Sequence, residues 1–550
     1  MLGIQAPCMH AQVQVAPDRY RIEFADKNHN TYTIGFPQYF LSERALQRRM
    51  RQGIKVTHDD LPVSKYYTDS LRRMGIEVLN TSRWYNSAII RCSPEDIVKL
   101  RDIDFIKPTQ SIPKESVQDT SIDLNDNLEN LFSFLFQKKD TKDIHSQYLA
   151  PASYYGQAAD QIGMMNGQAL HHRGFRGKGM LVAVIDGGFY KVGELSGFDS
   201  MRHSGRLRGV KCFSIDDDST IGENNHGANV LSIIASDLPG RMVGSAPDAE
   251  YILLRSEEVG KEYLVEEDNW IAAVEYADSI GADMITSSLG YSKFDDATQN
   301  HHYNDLDGRT VRASYAATMA AARGMIVCAS AGNDGDNQWK FVSVPADADS
   351  VVTVGAVDSK GRYASFSSVG HTVDGRIKPD LVAMGKETAY QNSMGMINTG
   401  NGTSYSTPLL AGLIACLWQA YPDKNNMEII DMVKYSASHH QIPDSLFGFG
   451  IPDFAKLVKP VSSDKPYSLS VSQDPAKDVF SLFLSPARHG NVNVKITTAS
   501  GQQIFSHSGH IAGNDVYKLT INESLNFPSG IYLVEVHTEA GKKIEKAVKK

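Results

Sequence analysis

The central part of the chain alternates short apolar runs with longer helical patterns. The runs predict buried strands at 180–185, 251–254, 283–286, 325–329 and 351–355. The longer patterns predict helices at 225–236, 269–280, 312–323 and 404–421. This alternation predicts an α/β domain over residues 153–457, in which a parallel sheet carries helices on both faces. Chemistry is then expected at the carboxyl ends of the strands.

A different pattern precedes this domain. Residues 18–110 alternate apolar and polar positions from Tyr20 to Phe24, and then carry a helical pattern at 42–51 and a strand pattern at 87–91. Ser93 and Pro94 are typical of a helix start, and a short strand is expected at 105–106. The segment is therefore predicted to be a small α+β domain.

The remaining segments differ in composition. Residues 111–152 are polar and predict a linker or maturation segment, and residues 458–466 predict a second linker. Residues 467–550 contain strand patterns at 479–484, 492–496, 516–521 and 531–536, which indicate a small β-sandwich. Residues 1–17 are either the remnant of a signal peptide or a disordered terminus.

Composition excludes several classes of protein. The chain has 550 residues, of which 41% are hydrophobic, and a net charge of −9, so neither bulk disorder nor a basic nucleic-acid footprint is expected. It contains no apolar run of about 18 residues, so no transmembrane segment is predicted. The five cysteines form no CxxC motif, which gives no support to a thiolate zinc site; Cys328 and Cys416 are predicted to be buried.

Four polar residues stand next to these predicted elements. Asp186 ends a strand, His226 begins a helix, Ser404 opens a long apolar helix, and Asn333 follows another strand. Each has an ordinary alternative, such as a metal or ribose ligand, a helix cap or a turn residue. Together they could supply a nucleophile, its base, a carboxylate that orients the base, and an oxyanion donor.

The motifs around these residues resemble those of subtilisin-family serine proteases. The similarity covers roughly residues 155–457 and rests on five ordered motifs: Asp186-Gly187-Gly188, His226-Gly227, Ser288-Leu289-Gly290, Ala331-Gly332-Asn333 and Gly402-Thr403-Ser404. It implies a subtilisin-like fold and a secreted serine endopeptidase that hydrolyses protein or peptide substrates through an acyl-enzyme intermediate. It also implies that Asp186, His226 and Ser404 are the catalytic triad and that Asn333 is the oxyanion donor.

The same resemblance implies the substrate-binding segments. Two stretches would flank the S1 pocket and pair with substrate as strands: Ser288, Leu289 and Gly290, and Ser330, Ala331 and Gly332. We expect Gly290 and Gly332 to leave room for a large P1 side chain.

Two positions depart from the family pattern. Gly187 stands where a hydroxyl residue is usual, and Ala228 stands where threonine is usual. Each change is expected to remove a hydrogen bond near the triad without removing a reacting group, so we expect altered activity and not its loss. The alternative is a catalytically weak or inactive surface-binding protein on the same scaffold.

The flanking domains extend the resemblance. Residues 18–110 resemble an inhibitory propeptide, which implies a zymogen inhibited by its own propeptide. Residues 467–550 are similar to the sorting domain of the type IX secretion system of Bacteroidetes, which implies that machinery as a partner and a secreted or cell-surface location. This second match rests on Pro475-Ala476-Lys477-Asp478, the Ser500-Gly501 turn, Pro528-Ser529-Gly530-Ile531-Tyr532 and the basic end at 542–550. An adhesion module is the alternative.

No cofactor is expected to be required, although the resemblance allows structural calcium. Asp216–Asp218, Asp334 and Asp336 are oxygen-rich but lack an ordered ligand spacing. A dense acidic stretch from Glu257 to Asp268 is interpreted as the solvated start of a helix. Its alternative role is to favour basic residues in a substrate through its field.

Overall fold

The computed structural model describes residues 13–107, 152–214, 221–258, 260–458, 468–474, 479–485, 490–511, 517–538 and 541–549. Residues 1–12 of the predicted signal remnant lie outside this range. So do the predicted linkers, except for residues 152 and 458, and the calcium candidates Asp216–Asp218.

The N-terminal domain is a four-stranded antiparallel sheet in the order β1-β2-β4-β3, packed with three helices. Its elements are β1 Val13–Ala16, β2 Arg19–Glu23, α1 Glu43–Arg51, α2 Lys65–Arg73, β3 Glu77–Ser82, β4 Ser87–Arg91 and α3 Pro94–Lys99. Ser42 and Ser93 cap α1 and α3 by accepting hydrogen bonds from backbone N–H groups. The predicted strand at 105–106 is only a single bridge between Phe24 and Ile106.

Strand β1 was not expected from the sequence. The sequence analysis places residues 13–16 in a signal remnant, whereas they pair with β2 as the edge strand of the sheet. Val15 and Ala16 are buried against Ile89 and Val265, so this segment packs between the N-terminal domain and the central domain.

The central domain contains the predicted parallel sheet and its helices. Its strands are β5 Leu181–Asp186, β6 Leu207–Cys212, β7 Asp237–Leu238, β8 Met242–Val243, β9 Glu250–Arg255, β10 Met284–Ser287, β11 Ile326–Ser330, β12 Val352–Val357, β13 Gly370–His371, β14 Ile377–Lys378, β15 Leu381–Met384, β16 Thr388–Gln391 and β17 Ile397–Gly400. Its helices are α4 Ala152–Tyr155, α5 Ala159–Gly163, α6 Gln168–His171, α7 Asp199–His203, α8 His226–Ala235, α9 Val265–Ile280, α10 Arg312–Ala322, α11 Thr403–Ala420 and α12 Asn426–Ser436.

Seven of these strands form one parallel sheet in the order β15-β12-β11-β10-β5-β9-β6. Successive side chains of β5 enter different cores: Val182 and Val184 pack with residues of α8 and α11, whereas Ala183 and Ile185 pack with residues of α9 and α10. Both faces of the sheet are therefore covered, which confirms the predicted fold class.

Two strands of this sheet lack a strong sequence signal. The edge strand β6 is half-exposed and carries no apolar run, and β15 has only four residues. Helix α9 begins four residues before its predicted start, because three acidic residues occupy its first turn, where the helix dipole favours them.

The N-terminal domain packs on α9 through buried charges. Asp278 of α9 is fully buried and receives Arg48, Arg49 and Arg83 from the N-terminal domain. Burial alone would raise the pKa of Asp278, but the three arginines outweigh it and hold the pKa below its usual value.

The C-terminal region is a sandwich of two antiparallel sheets, in the orders β18-β19-β22 and β21-β20-β23-β24. Its strands are β18 Ser468–Asp474, β19 Val479–Ser485, β20 Gly490–Thr498, β21 Gln503–Ile511, β22 Tyr517–Ile521, β23 Gly530–Thr538 and β24 Gly541–Lys549. Leu482 and Val494 share one core, so the predicted sandwich is confirmed. Residues 475–478, which carry part of the sorting-domain resemblance, lie outside the described range.

Cys328 and Cys416 are fully buried, as predicted, and the cysteines within the described residues form no disulfide with one another. No helix in the described part of the chain combines the length and the apolar composition needed to cross a membrane.

Candidate active site

Asp186 and His226 meet at the carboxyl edge of the parallel sheet. Asp186 is the last residue of β5 and is fully buried, and His226 is the first residue of α8. The Nδ1 atom of His226 lies 2.7 Å from Oδ1 of Asp186, which also accepts a hydrogen bond from the backbone N–H of Gly187. This arrangement holds the imidazole with its Nε2 atom directed away from the carboxylate.

Glycines allow the strand end and the helix start to approach so closely. A Cβ atom at Gly227 would lie 2.5 Å from the carbonyl oxygen of Gly188 and 2.8 Å from Cβ of Asp186. A Cβ atom at Gly188 would lie 2.7 Å from the carbonyl oxygen of Asn224. Both contacts are shorter than van der Waals packing permits, so the backbone needs glycine here to bring His226 to Asp186.

The charge of Asp186 raises the pKa of His226 above 6.5, against the opposing effect of burial, and the hydrogen bond and Glu257 raise it further. The His226 side chain remains 35% exposed, so water screens part of this interaction. The second carboxylate oxygen of Asp186, Oδ2, is buried and has no hydrogen-bond partner.

Ser404 is the second residue of α11, a helix whose residues from 406 to 418 are all buried. Gly402 precedes the helix at φ 153°, a conformation that favours glycine. The hydroxyl of Ser404 lies 3.4 Å from the carbonyl oxygen of Ser288, and no hydrogen bond joins it to His226 among the described residues. In ligand-free sites such contacts are often long and tighten when substrate binds.

Asn333 lies beside the start of α11. Its Oδ1 atom accepts hydrogen bonds from the backbone N–H of Thr403 at 2.8 Å and from the hydroxyl of Thr403 at 3.1 Å. Both donors fix the amide orientation, which leaves Nδ2 with no acceptor among the described residues. An N–H donor is thus available next to Ser404.

The two predicted substrate-binding segments lie side by side. The hydroxyl of Ser330 contacts the carbonyl oxygen of Leu289 at 3.4 Å, and the hydroxyl of Ser288 donates to the carbonyl oxygen of Ser404 at 3.0 Å. The carbonyl oxygen of Ala331 accepts a hydrogen bond from the backbone N–H of Ser343, which ties the second segment to the loop that contains Ser343.

Gly290 and Gly332 both pack closely against Ser343. A Cβ atom at Gly290 would lie 2.7 Å from Cβ of Ser343, and one at Gly332 would lie 2.6 Å from the hydroxyl of Ser343. Packing against Ser343 therefore requires glycine at both positions, and the expectation that they leave room for a P1 side chain stays a prediction.

An acidic wall, which the sequence analysis placed near a substrate only as its alternative interpretation, lines the same cleft as Asp186 and His226. The cleft encloses about 500 Å³, and its acidic lining residues include Glu257, Glu262 and Glu266. The oxygen atoms of these three residues lie within 4.8 Å of one another.

The interpretation of the 257–268 stretch as a solvated face is wrong. Glu258, Glu266, Glu267 and Asp268 are each 6% exposed or less. Glu258 pairs with Arg19, Glu267 with His301, and Asp268 with Arg21 and Arg312. The density of acids was the available signal, but their burial depends on partners distant in sequence.

The two calcium candidates inside the described residues, Asp334 and Asp336, accept hydrogen bonds from other side chains. The Asp334 carboxylate accepts from the Asn337 amide, and Asp336 accepts from Ser365. Among the described residues, Glu257, Glu262 and Glu266 are the only group of three His, Cys, Asp or Glu side chains close enough to share a cation.

The fold is a doubly covered parallel α/β sheet, in which Asp186 and His226 are in contact at the carboxyl edge and Ser404 stands in the first turn of α11. Residues 177–450 match the model of the subtilase family, residues 19–126 match the peptidase S8 propeptide domain of Bacteroidota, and residues 474–550 match the secretion system C-terminal sorting domain. Residues 177–450 are therefore a subtilase-family domain. Because it carries the sorting domain, it is a secreted or cell-surface protein.

The individual relatives described next are each less than 30% identical to the chain. The chain is 28% identical over 317 residues to serine protease AprX of Bacillus subtilis (strain 168), covering 52% of this chain and 66% of that protein. It is 29% identical over 283 residues to subtilisin NAT of Bacillus subtilis subsp. natto, covering 50% of this chain and 65% of that protein. The chain therefore spans just under two thirds of these relatives.

Among solved structures, the chain is similar to MycP1 from the ESX-1 type VII secretion system, with a TM-score of 0.44 and 21% identity over 60% of this chain and 93% of that one. MycP1 from Mycobacterium smegmatis gives a TM-score of 0.43 and 22% identity over 59% and 90% of the two chains.

Proposed function

We propose that the chain is a serine endopeptidase that hydrolyses peptide bonds of protein substrates and is made as a zymogen. The observation that carries this proposal is the 2.7 Å contact between His226 Nδ1 and Asp186, on the edge of the sheet where Ser404 lies in the first turn of α11. The match to the subtilase family supports it.

In this mechanism the hydroxyl oxygen of Ser404 attacks the carbonyl carbon of the scissile bond, and Nε2 of His226 takes the hydroxyl proton. Asp186 keeps the proton of His226 on Nδ1 and stabilises the imidazolium that forms. Nδ2 of Asn333 and the backbone N–H of Ser404 donate to the oxyanion. His226 then protonates the leaving amine, and water, activated by His226, releases the acyl group from Ser404.

The N-terminal domain would act as the inhibitor of the zymogen. It covers α9 through buried ion pairs, and Arg19 reaches Glu258 in the loop that lines the cleft. Maturation would remove this domain by cleavage within residues 111–155. The C-terminal sandwich would be the part that the type IX secretion machinery recognises.

The experiment that tests the proposal uses a fluorophosphonate probe on the matured full-length chain. We expect wild-type protein to be labelled and to hydrolyse casein, and the Ser404→Ala variant to lose both while its circular dichroism spectrum stays unchanged. Retained labelling of the variant would refute the assignment of Ser404. A wild type that is folded but neither labelled nor active would instead point to an inactive scaffold.

A further inference from the structure

The acidic wall of the cleft contains an unsatisfied carboxylate. Glu266 is 1% exposed, and its Oε1 atom accepts a hydrogen bond of 2.7 Å from the backbone N–H of Glu258. Its Oε2 atom is buried and has no hydrogen-bond partner. A buried oxygen of this kind is costly unless a ligand or ion completes its interactions.

The two neighbouring carboxylates do not relieve this charge. Glu257 accepts hydrogen bonds from the hydroxyls of Tyr291 at 2.7 Å and Ser256 at 3.1 Å, which are neutral donors. The Glu262 carboxylate accepts no hydrogen bond from the described residues. One carboxylate oxygen of each residue lies within 4.8 Å of the others, so ionisation of each acid is opposed by its neighbours until a positive charge binds between them.

The pKa values of these three carboxyls are raised, so a bound cation would strongly favour their ionisation. Burial raises the pKa of Glu257 to about 7 and that of Glu262 to about 7, and burial also raises the pKa of Glu266 well above its usual value, with further contributions from Glu257 and Glu262. A bound positive charge would reverse these shifts and restore the ionised forms. The other charged residues that line this part of the cleft are Glu258, Lys261 and Asp295.

The position of the wall indicates the kind of cation. It lines the same cleft as Asp186, His226 and the Ser288–Gly290 segment, so a peptide bound there brings its own side chains to the three glutamates. The chain itself provides a precedent for a basic side chain on this loop, because the guanidinium of Arg19 binds both carboxylate oxygens of Glu258 at 2.8 Å.

We propose that Glu257, Glu262 and Glu266 form a specificity subsite that binds a lysine or arginine side chain of the substrate, at a position close to the scissile bond other than P1. Ser330, Ala331 and Gly332, which would flank the S1 pocket, do not line this part of the cleft. The inference rests on the proposed endopeptidase activity and adds the substrate class to it.

The test is a cleavage profile of the matured full-length enzyme against a peptide library randomised on both sides of the scissile bond. We expect lysine and arginine to be enriched at one position other than P1. Matched substrates then carry either lysine or the uncharged norleucine at that position, and kcat/KM is measured for each.

The variants Glu266→Gln and Glu262→Gln each replace a carboxyl that can ionise around a bound cation by a neutral amide of similar shape. We expect the lysine-over-norleucine ratio to fall on the order of tenfold in each, while hydrolysis of the norleucine substrate and labelling by the fluorophosphonate probe persist. Glu194→Gln is the matched control, because Glu194 is an exposed glutamate outside the cleft, and its ratio should equal that of the wild type.

The outcomes separate the two proposals. Efficient cleavage without a basic preference, or a preference that survives both substitutions, would overturn the subsite and leave the endopeptidase standing. A preference that a chelator abolishes and Ca²⁺ restores would make the glutamates a metal site and also overturn it. A wild type that is not labelled and cleaves no peptide would overturn the proposed function and the subsite with it.

Discussion

His226 is the residue whose protonation determines when the site can work. As a base it must be neutral, and the negative charge of Asp186 holds its pKa above 6.5. We therefore expect kcat/KM to fall with decreasing pH through a pKa above 6.5. Glu257→Gln removes a second negative charge that raises this pKa, so its profile should shift to lower pH.

The measurement is the pH profile of kcat/KM on a substrate without basic residues, with Glu194→Gln as the control. The contribution of His226 to the free energy of unfolding has the opposite pH dependence: it decreases as the pH rises, whereas kcat/KM increases. Because the folded pKa of His226 is raised, its ion pair with Asp186 contributes stability that is present below 6.5 and is lost as the pH rises through the folded pKa. An unshifted Glu257→Gln profile would contradict this electrostatic account.

Asn333 offers a second prediction at this scale. With Oδ1 held by Thr403, only Nδ2 can donate to a substrate, and that donor matters most when the oxyanion forms. We expect Asn333→Ala to lower kcat by about 10²–10³-fold with little change in KM. Steady-state kinetics test this, and a variant in which KM alone rises would show that Asn333 binds the ground state instead.

The candidate residues differ in how far the sequence could predict them. Asp186 and His226 stand in local motifs with glycines, and those glycines are needed for the close approach that the structure contains. Glu266 has no such motif. Its burial results from the packing of α9 against other elements, which one local stretch of sequence does not encode.

At the scale of elements, α9 contributes to two surfaces. Its first turn supplies Glu266 to the cleft, and its last turns supply Asp278 to the interface with the N-terminal domain. Arg48, on α1 of that domain, is 1% exposed and directs all its hydrogen bonds to the central domain: to the carbonyl oxygens of Arg323 and Ala282 and to Asp278.

We therefore expect the isolated domain of residues 13–107 to inhibit the mature enzyme, and Arg48→Ala to weaken this inhibition by at least about 30-fold, because it leaves buried acceptors without their donor. Arg72→Ala is the control, since Arg72 is exposed and paired only within its own helix. The inhibition constant measures the effect. Equal constants for both variants would show that the buried ion pairs do not hold the inhibitor.

Long periodic elements could be predicted from the sequence, whereas short and edge elements could not. Helix α11 is apolar over most of its length, and β5 is a continuous buried run, so their patterns are unambiguous. The edge strand β6 is half-exposed, and its pairing with β9 supplies what its composition does not indicate. Strand β1 is a second example, because pairing with β2 and packing against Val265 stabilise it.

At the scale of the whole molecule, the C-terminal sandwich has its own core, which includes Leu482, Val494 and Val534. Among the described residues of the sandwich, Phe483 packs into the core of the central domain, next to Tyr154. We expect deletion of residues 467–550 to leave the protein in the periplasm of a host that has a type IX secretion system. Fractionation and immunoblotting measure this, and normal export of the truncated chain would favour an adhesion role.

The basic N-terminal domain and the acidic helix beneath it have a consequence for the processed enzyme. Residues 18–107 contain more lysines and arginines than aspartates and glutamates, and their arginines form ion pairs with Asp278 and Asp283 in the unprocessed chain. Once that domain departs, these carboxylates meet water without their counterions. Removal of the N-terminal domain would thus expose an anionic surface on the central domain. We expect the mature form to bind an anion-exchange resin more strongly than its precursor.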